Sequence, residues 1–365
     1  MDSRKDKARL YSAVKRKITV FEWVLTIVFF TALFFSGGSR LLISLALMVS
    51  QNPYIVAAIY IAIAGSLLQI ILLPLDYTAS FRIEHDFGLS RQTLLSWLMD
   101  YIKKVLFSGL LSIVMILTLY LFLRISPVFW WLYSGIAYFF MSVIIAKIFP
   151  QIVIPFFYKL TIITDKLLKE RLTQLADSMD VEIVDVYTIG LGAKTSKANA
   201  AVCGIGKSKR ILLSDTLLEN YTPDEIEATF AHELAHHKHM HFWKLNILHF
   251  LSVLLNLLII NFILDFAISA GLISAQYSIE AFPIIAIVFT LYSICSLPIL
   301  NFVSRKYERQ ADEDAIAITG KPYAFSDLIE KLTLQNLSDP SPGIFAKLFF
   351  YDHPPASERI GLIKS

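Results

Sequence analysis

The sequence predicts an α-helical integral membrane protein, with about six transmembrane helices and a small cytoplasmic α+β domain. Three observations lead there. The 365 residues are 56% hydrophobic and 17% charged, against roughly 45–50% and 25% in soluble globular chains. Six apolar runs reach about 18 residues or more, the length that crosses a hydrocarbon core of about 30 Å. The charge is concentrated between those runs and at the chain ends. This composition excludes a disordered chain, a collagen-like repeat and a disulfide scaffold.

Taken in order, the runs are Ile18 to Phe35, Tyr54 to Leu75, Val105 to Leu123, Val128 to Ala146, Leu245 to Leu264 and Phe282 to Phe302. A seventh, Leu41 to Val49, is too short to span and reads as part of an external loop or a re-entrant segment. The first run contains Glu22 and lacks a small-x-small site before Arg40, so it is not a cleaved signal peptide. The chain thus divides into a four-span region (1–150), a polar region (151–241), two further spans (242–304) and a polar tail (305–365).

Basic residues set the orientation. Arg4, Lys5, Lys7, Arg9, Lys15, Arg16 and Lys17 precede the first span, whereas the alternate loops hold only Arg40 and Arg124. Six spans then leave both termini and the polar region in the cytoplasm. The net charge of +3 is a topology signal; no basic stripe with interleaved aromatics points to nucleic acid. Cys203 and Cys295 fall in different compartments and read as two buried free thiols.

Within the polar region, a helix is expected from Ile162 to Met179, with Leu167, Leu168, Leu172 and Leu175 on one face. A strand follows over Val181 to Tyr187, broken by Gly190 and Gly192. Asn199 to Cys203 and Arg210 to Leu213 make a hairpin through Gly206-Lys207-Ser208-Lys209. Thr222, Pro223 and Glu225 then open a helix with a capping box.

That helix carries His232-Glu233-Leu234-Ala235-His236. Histidines four apart share a helix face, so both imidazoles reach one tetrahedral zinc. The glutamate between them is set to take a proton from a bound water. A third ligand is needed. Glu308 and Asp312, four apart just after the last span, supply a ligand and an acceptor for the free N–H of a ligand histidine. His237, His239 and His241 extend the helix toward its membrane-facing end; a second metal there is disfavoured. In the fifth span, Asn246, His249 and Asn256 share one face, as side chains lining a water-filled interior or bridging helices do.

These residues resemble the CAAX prenyl protease type 1 family of integral-membrane zinc endopeptidases. The resemblance covers most of the chain. It runs in order through Pro74 to Tyr77, Glu84-His85-Asp86-Phe87-Gly88-Leu89-Ser90-Arg91-Gln92-Thr93, Asn199-Ala200, Gly204-Ile205-Gly206, Arg210-Ile211 and Asp215-Thr216-Leu217. It continues through the H-E-x-x-H motif, Glu308 with Asp312, His353-Pro354-Pro355 and Glu358-Arg359-Ile360. It implies a gluzincin-type zinc-protease domain and spans that enclose a large water-filled chamber. One Zn2+ per chain would be held by His232, His236 and Glu308, with Glu233 activating water. His353 would donate to the oxyanion, Arg359 would support it, and Asp312 would orient a ligand histidine. Asn199, Ala200 and Ala201 would bind substrate as an added strand. His85 would be a structural contact.

The implied partners are a peptide or protein substrate, prenylated and CAAX-type, and the lipid bilayer; nucleic acid is not among them. Only Met1 to Lys17 precede the first span, and the chain ends Leu362-Ile363-Lys364-Ser365 without a retrieval signal. Both features imply a shorter, prokaryotic-type member in the plasma (inner) membrane; a eukaryotic one would sit in the endoplasmic reticulum. One alternative is a general membrane quality-control zinc protease, although the related bacterial stress proteases lack the Glu-His-x-Phe-Gly block. The other is an inactive zinc-binding scaffold or transporter, which the intact His232, Glu233, His236 and Glu308 oppose.

Overall fold

In the computed structural model, described over residues 2–183, 185–204 and 209–362, the apolar runs become long helices. These are α1 (Asp2–Phe35), α2 (Gly38–Val49), α3 (Pro53–Tyr77), the one-turn α4 (Ile83–Asp86), α5 (Leu94–Ile125) and α6 (Trp130–Ile148). The polar region holds α7 (Ile154–Phe157), β1 (Leu160–Ile162), α8 (Lys166–Ser178), β2 (Val186–Ile189), β3 (Ala200–Cys203), β4 (Arg210–Ser214), α9 (Asp215–Asn220) and α10 (Pro223–Lys238). Then come α11 (His241–Ser269), α12 (Phe282–Thr319), α13 (Pro322–Gln335), α14 (Ile344–Phe350) and α15 (Ala356–Gly361).

Among the described residues, six helical stretches, built on α1, α3, α5, α6, α11 and α12, are long and apolar enough to cross a bilayer. Local sequence starts several of them. Asn52 caps α3 ahead of Pro53, and the Thr93 hydroxyl accepts from Ser96 N at the head of α5. The segment expected to be a loop, Leu41 to Val49, is helical instead. At 12 residues α2 is about 18 Å long, well short of a span, and it packs on α1 and α3.

Between the helices, Tyr60, Leu123, Trp130, Leu257, Ile260 and Leu264 are fully buried. The Trp130 indole donates to Asn261 Oδ1 at 2.8 Å. Outward, Ile70, Leu106, Leu110, Phe262 and Ile299 are each more than 60% exposed. So large an apolar surface suits lipid, not water. Asn246 and His249 line a cavity of about 330 Å³ between α6 and α11, and Ser142 Oγ donates to Asn246 Oδ1 at 3.2 Å. Asn256 is buried in the helix bundle.

The sheet order is β1-β2-β4-β3, with β2 and β4 parallel and both outer pairs antiparallel. The β3–β4 pairing agrees with the expected hairpin; its turn at 206–209 and the motif at 204–206 lie largely outside the described residues. Four expectations are corrected. The strand placed at Val181 to Tyr187 starts at Val186, where pairing to Ile211 begins; Val184 lies outside the described residues. The helix expected from Ile162 starts at Lys166, capped by Asp165, because Leu160–Ile162 pairs with β2. Leu167 is exposed while Leu168, Leu172 and Leu175 face the core. Cys295 is exposed, on an outward face of α12, and is not a buried thiol.

α12 joins the two regions. Its 38 residues make a rod of about 57 Å, roughly twice the hydrocarbon thickness. Its first half belongs to the spans; its second half packs along α10.

Candidate active site

α10 begins as the sequence dictates. The Thr222 side chain accepts from Glu225 N while Glu225 reaches back to the Thr222 N–H, and Pro223 occupies the first turn. The helix then runs into the core with Phe230, Ala231, Leu234 and Ala235 buried. This packing turns His232 and His236 toward α12, where Arg305, Glu308 and Asp312 share one face at steps of three and four.

Three ligand-type atoms converge. His232 Nε2 is 3.2 Å from Glu308 Oε2, His236 Nε2 is 3.3 Å from Glu308 Oε1, and the two Nε2 atoms are 3.2 Å apart. The group His232, His236 and Glu308 is the one set of His, Cys, Asp and Glu that could hold a metal among the described residues. Ligand atoms about 2.0–2.1 Å from a tetrahedral zinc sit about 3.3 Å from one another, so the spacing fits. Glu308 Oε2 is also buried, and its near neighbours are the Nε2 atoms of His232 at 3.2 Å and His353 at 3.3 Å.

The outer ring nitrogens fix which proton each histidine carries. His232 Nδ1 lies 2.8 Å from Asp312 Oδ1, so Nδ1–H donates and Nε2 keeps its lone pair. Arg359 donates to both oxygens of Asp312, with Nε to Oδ2 at 2.8 Å. Its guanidinium is thus placed on Asp312, and it lines the same cavity as His353. His236 is fixed by residues whose role the sequence did not reveal. Its Nδ1 is 3.0 Å from His241 Nδ1, and His241 Nε2 is 3.1 Å from Gln310 Oε1. The Gln310 amide nitrogen faces His239 Nδ1, and His239 Nε2 is 2.7 Å from Asp314. With neutral rings and the Gln310 amide as placed, one assignment satisfies this chain. His239 donates to Asp314, Gln310 donates to His239, His241 donates to Gln310, and His236 Nδ1–H donates to His241. The Nε2 of His236 is left free toward Glu308.

His241 is five residues beyond His236 and would not share its helix face. The break at Met240, with φ of 55°, folds the start of α11 back, and Tyr307 stacks on the His241 ring at 4.6 Å. Helical spacing alone hid this contact. Substituting His241 by Ala is therefore expected to weaken zinc binding about 10- to 100-fold, measured by competition with a chromophoric chelator. An unchanged affinity would refute the orienting role. His237 serves elsewhere, with Nε2 3.2 Å from Val202 O. His85 lies between the carbonyls of Phe81 and Gln92 at 2.8 and 2.9 Å.

Glu233 stands between the triad and the sheet, with Oε2 accepting from Val202 N at 3.4 Å. Burial raises its carboxyl above the ordinary value; His232 opposes the shift and Glu308 adds to it. His353 comes from the tail, about half exposed, with Nε2 3.3 Å from Glu308 Oε2 and Nδ1 2.8 Å from Asp352. Buried Arg305 holds the segment before it, donating to Lys347 O at 2.9 Å and Tyr351 O at 2.6 Å. A cavity of about 350 Å³ opens here, lined by His232, Glu233, His353, Asn199, Ala200 and Phe325. Asn199 is exposed, and Ala200 and Ala201 are partly so. Burial pushes the neighbouring Cys203 thiol up to about 11, so it stays protonated and unreactive at neutral pH.

Comparison with known proteins gives the family and the fold. Residues 163–365 match the model of peptidase family M48, and residues 2–159 match "CAAX prenyl protease N-terminal, five membrane helices". CAAX prenyl protease 1 of Saccharomyces cerevisiae is 30% identical over 327 residues, covering 82% of this chain and 70% of that protein. The uncharacterized metalloprotease YhfN of Bacillus subtilis is 27% identical over 305 residues, covering 82% and 71%. The crystal structure of S. mikatae Ste24p shares the fold, with a TM-score of 0.87 and 24% identity over 100% of this chain and 89% of that one. The chain therefore belongs to the CAAX prenyl protease 1 group of the M48 peptidases and is a membrane metalloprotease.

Proposed function

We propose that this protein is a zinc endopeptidase that cuts membrane-associated peptides near their carboxyl ends, prenylated CAAX-type peptides among them. One observation carries the reading: Glu233 lies between three converging metal-ligand atoms and the open edge of β3. His232, His236 and Glu308 would hold the zinc, which would supply a Lewis acid for the scissile carbonyl and an acidified water. Glu233 takes the proton from the attacking water and delivers it to the leaving amine. Its upward shift suits both roles. His353 donates to the oxyanion that develops on the carbonyl. Asp312, braced by Arg359, keeps His232 in the ligating tautomer, and the backbone of Asn199 to Ala201 holds the substrate in extended form.

The basic segment ahead of α1 and the sparse basic residues of the alternate loops support a cytoplasmic site with both termini on the same side. Asn246 and His249 beside their cavity support an intramembrane chamber that takes in a lipid-bearing substrate. The relatives named CAAX prenyl protease 1 make the prenyl group the substrate feature to test. A farnesylated CAAX peptide is expected to be cleaved about tenfold or more faster, by kcat/KM, than its unprenylated twin, a difference of about 1.4 kcal/mol. Equal rates would reject prenyl selectivity. Faster cleavage of an unfolded membrane protein would favour a quality-control protease.

A further inference from the structure

A second cleft, of about 520 Å³, lies outside the zinc site, and none of the residues proposed for hydrolysis lines it. Four cations do: Arg4 and Lys7 from α1, Arg91 from the loop after α4, and Lys331 from α13. Ser196 and Asn220 add neutral polar groups to the wall. Among the described residues, no Asp or Glu lines this cleft.

The contrast with nearby lysines is sharp. Lys15 and Lys197 share Glu84 at 3.1 and 2.9 Å, and Lys194 meets Asp100 at 2.6 Å. In the cleft, Lys331 alone has such a partner, Glu225 at 2.7 Å. Arg91 donates to a neutral carbonyl, Gly192 O, at 2.9 Å. Lys7 sits over the Phe87 ring at 5.7 Å. No hydrogen bond or ion pair holds Arg4 among the described residues. Three cations without carboxylates, gathered from separate segments, repel one another, and an anion between them reverses the sign of that interaction.

We propose that this cleft binds a compact, soluble anion carrying two or more phosphates. Arginine offers a planar fork of donors and lysine a point charge, the pair of groups that phosphate oxygens take. A single phosphate carries about 1.5 to 2 negative charges, fewer than the three cations to be met; two phosphates match them. Position selects a dissolved ligand. Helix α1 is continuous from Asp2 to Phe35, and Lys7 stands eleven residues before Ile18, where the first apolar run begins. That is about 16 Å of helix, whereas the headgroup layer adds only about 5–7 Å to each face of the hydrocarbon core. The cleft lies beyond the reach of a bilayer lipid's phosphate. Bound there, the anion ties α1 to the loop after α4 and to α13.

The test is calorimetric titration of the full-length, zinc-loaded protein, in phosphatidylcholine nanodiscs, with inorganic diphosphate. Native protein is expected to bind it at least about tenfold more tightly than inorganic phosphate. The double variant Arg4→Gln/Lys7→Gln, and separately Arg91→Gln, should weaken binding about tenfold or more, because charge-assisted contacts are lost. Lys5→Gln/Arg9→Gln removes the same charge from the same stretch of α1, but those two side chains line a different cavity. It should bind as native protein does. Native protein that takes up no diphosphate would overturn the proposal, and that outcome needs no variant to fold. Equal losses in the two double variants would also overturn it, by showing diffuse attraction to a basic helix. Unchanged affinity in Arg4→Gln/Lys7→Gln would place the diphosphate elsewhere, the zinc included. Nanodiscs containing phosphatidic acid separate the two sources of phosphate. Native affinity should then stay within about twofold, since the cleft is more than a Debye length from the surface. A tenfold loss in those discs would mean that lipid phosphate fills the cleft, and would overturn the soluble ligand.

Discussion

Replacing Glu233 by Gln is expected to lower kcat by about 10²- to 10⁴-fold, the range a positioned general base contributes, and to leave zinc bound. Gln keeps the size of the side chain and its carbonyl oxygen still accepts from Val202 N, but it cannot take a proton. The three ligand-type residues are untouched, since Glu233 itself is not in the converging set. Single-turnover cleavage of the farnesylated peptide, with zinc content measured on the same sample, separates the two effects. A variant that holds zinc and cleaves at the native rate would remove Glu233 from the mechanism. One that loses zinc would assign it a binding role instead.

The second large effect is expected at Asp312, whose side chain is fully buried between His232 and Arg359. Asp312→Ala removes the acceptor that fixes the His232 tautomer, which should weaken zinc binding about 10- to 100-fold. It also leaves the largely buried Arg359 guanidinium without its carboxylate. Breaking a buried pair from one side costs about 3–5 kcal/mol. Changing both residues to apolar ones, Asp312→Leu with Arg359→Met, should recover much of the folding loss because no charge is stranded. It should recover none of the zinc affinity. Chelator competition and thermal unfolding, read on both variants, check the two halves separately. If the double variant regained zinc affinity, Asp312 would have only a structural role.

Much of this architecture was legible in the chain. Hydrocarbon thickness imposes a minimum run of apolar residues, so the spans are visible without any knowledge of their neighbours. Helix caps are equally local, which is why Thr222 and Glu225 mark the start of α10 so clearly. The metal triad was legible because each half of it obeys helical spacing: His232 with His236, and Glu308 with Asp312. Arg305 could have been found the same way, three residues ahead of Glu308 on the same face. The strand boundaries were less legible. A three-residue strand such as Leu160–Ile162 has no periodicity of its own and exists only because β2 lies beside it.

Local spacing, and a run length that the bilayer demands, were enough for the six apolar spans, the helix that carries the H-E-x-x-H motif and the three metal-ligand side chains. How those parts meet came from packing in three dimensions. It placed α12 against α10 so that Glu308 closes the triad, set Arg359 on Asp312 and folded His241 back onto His236. It also brought Asn336 against the edge of β3 across 138 residues of chain. Such contacts come from packing two elements together, and no periodicity within either element encodes its partner.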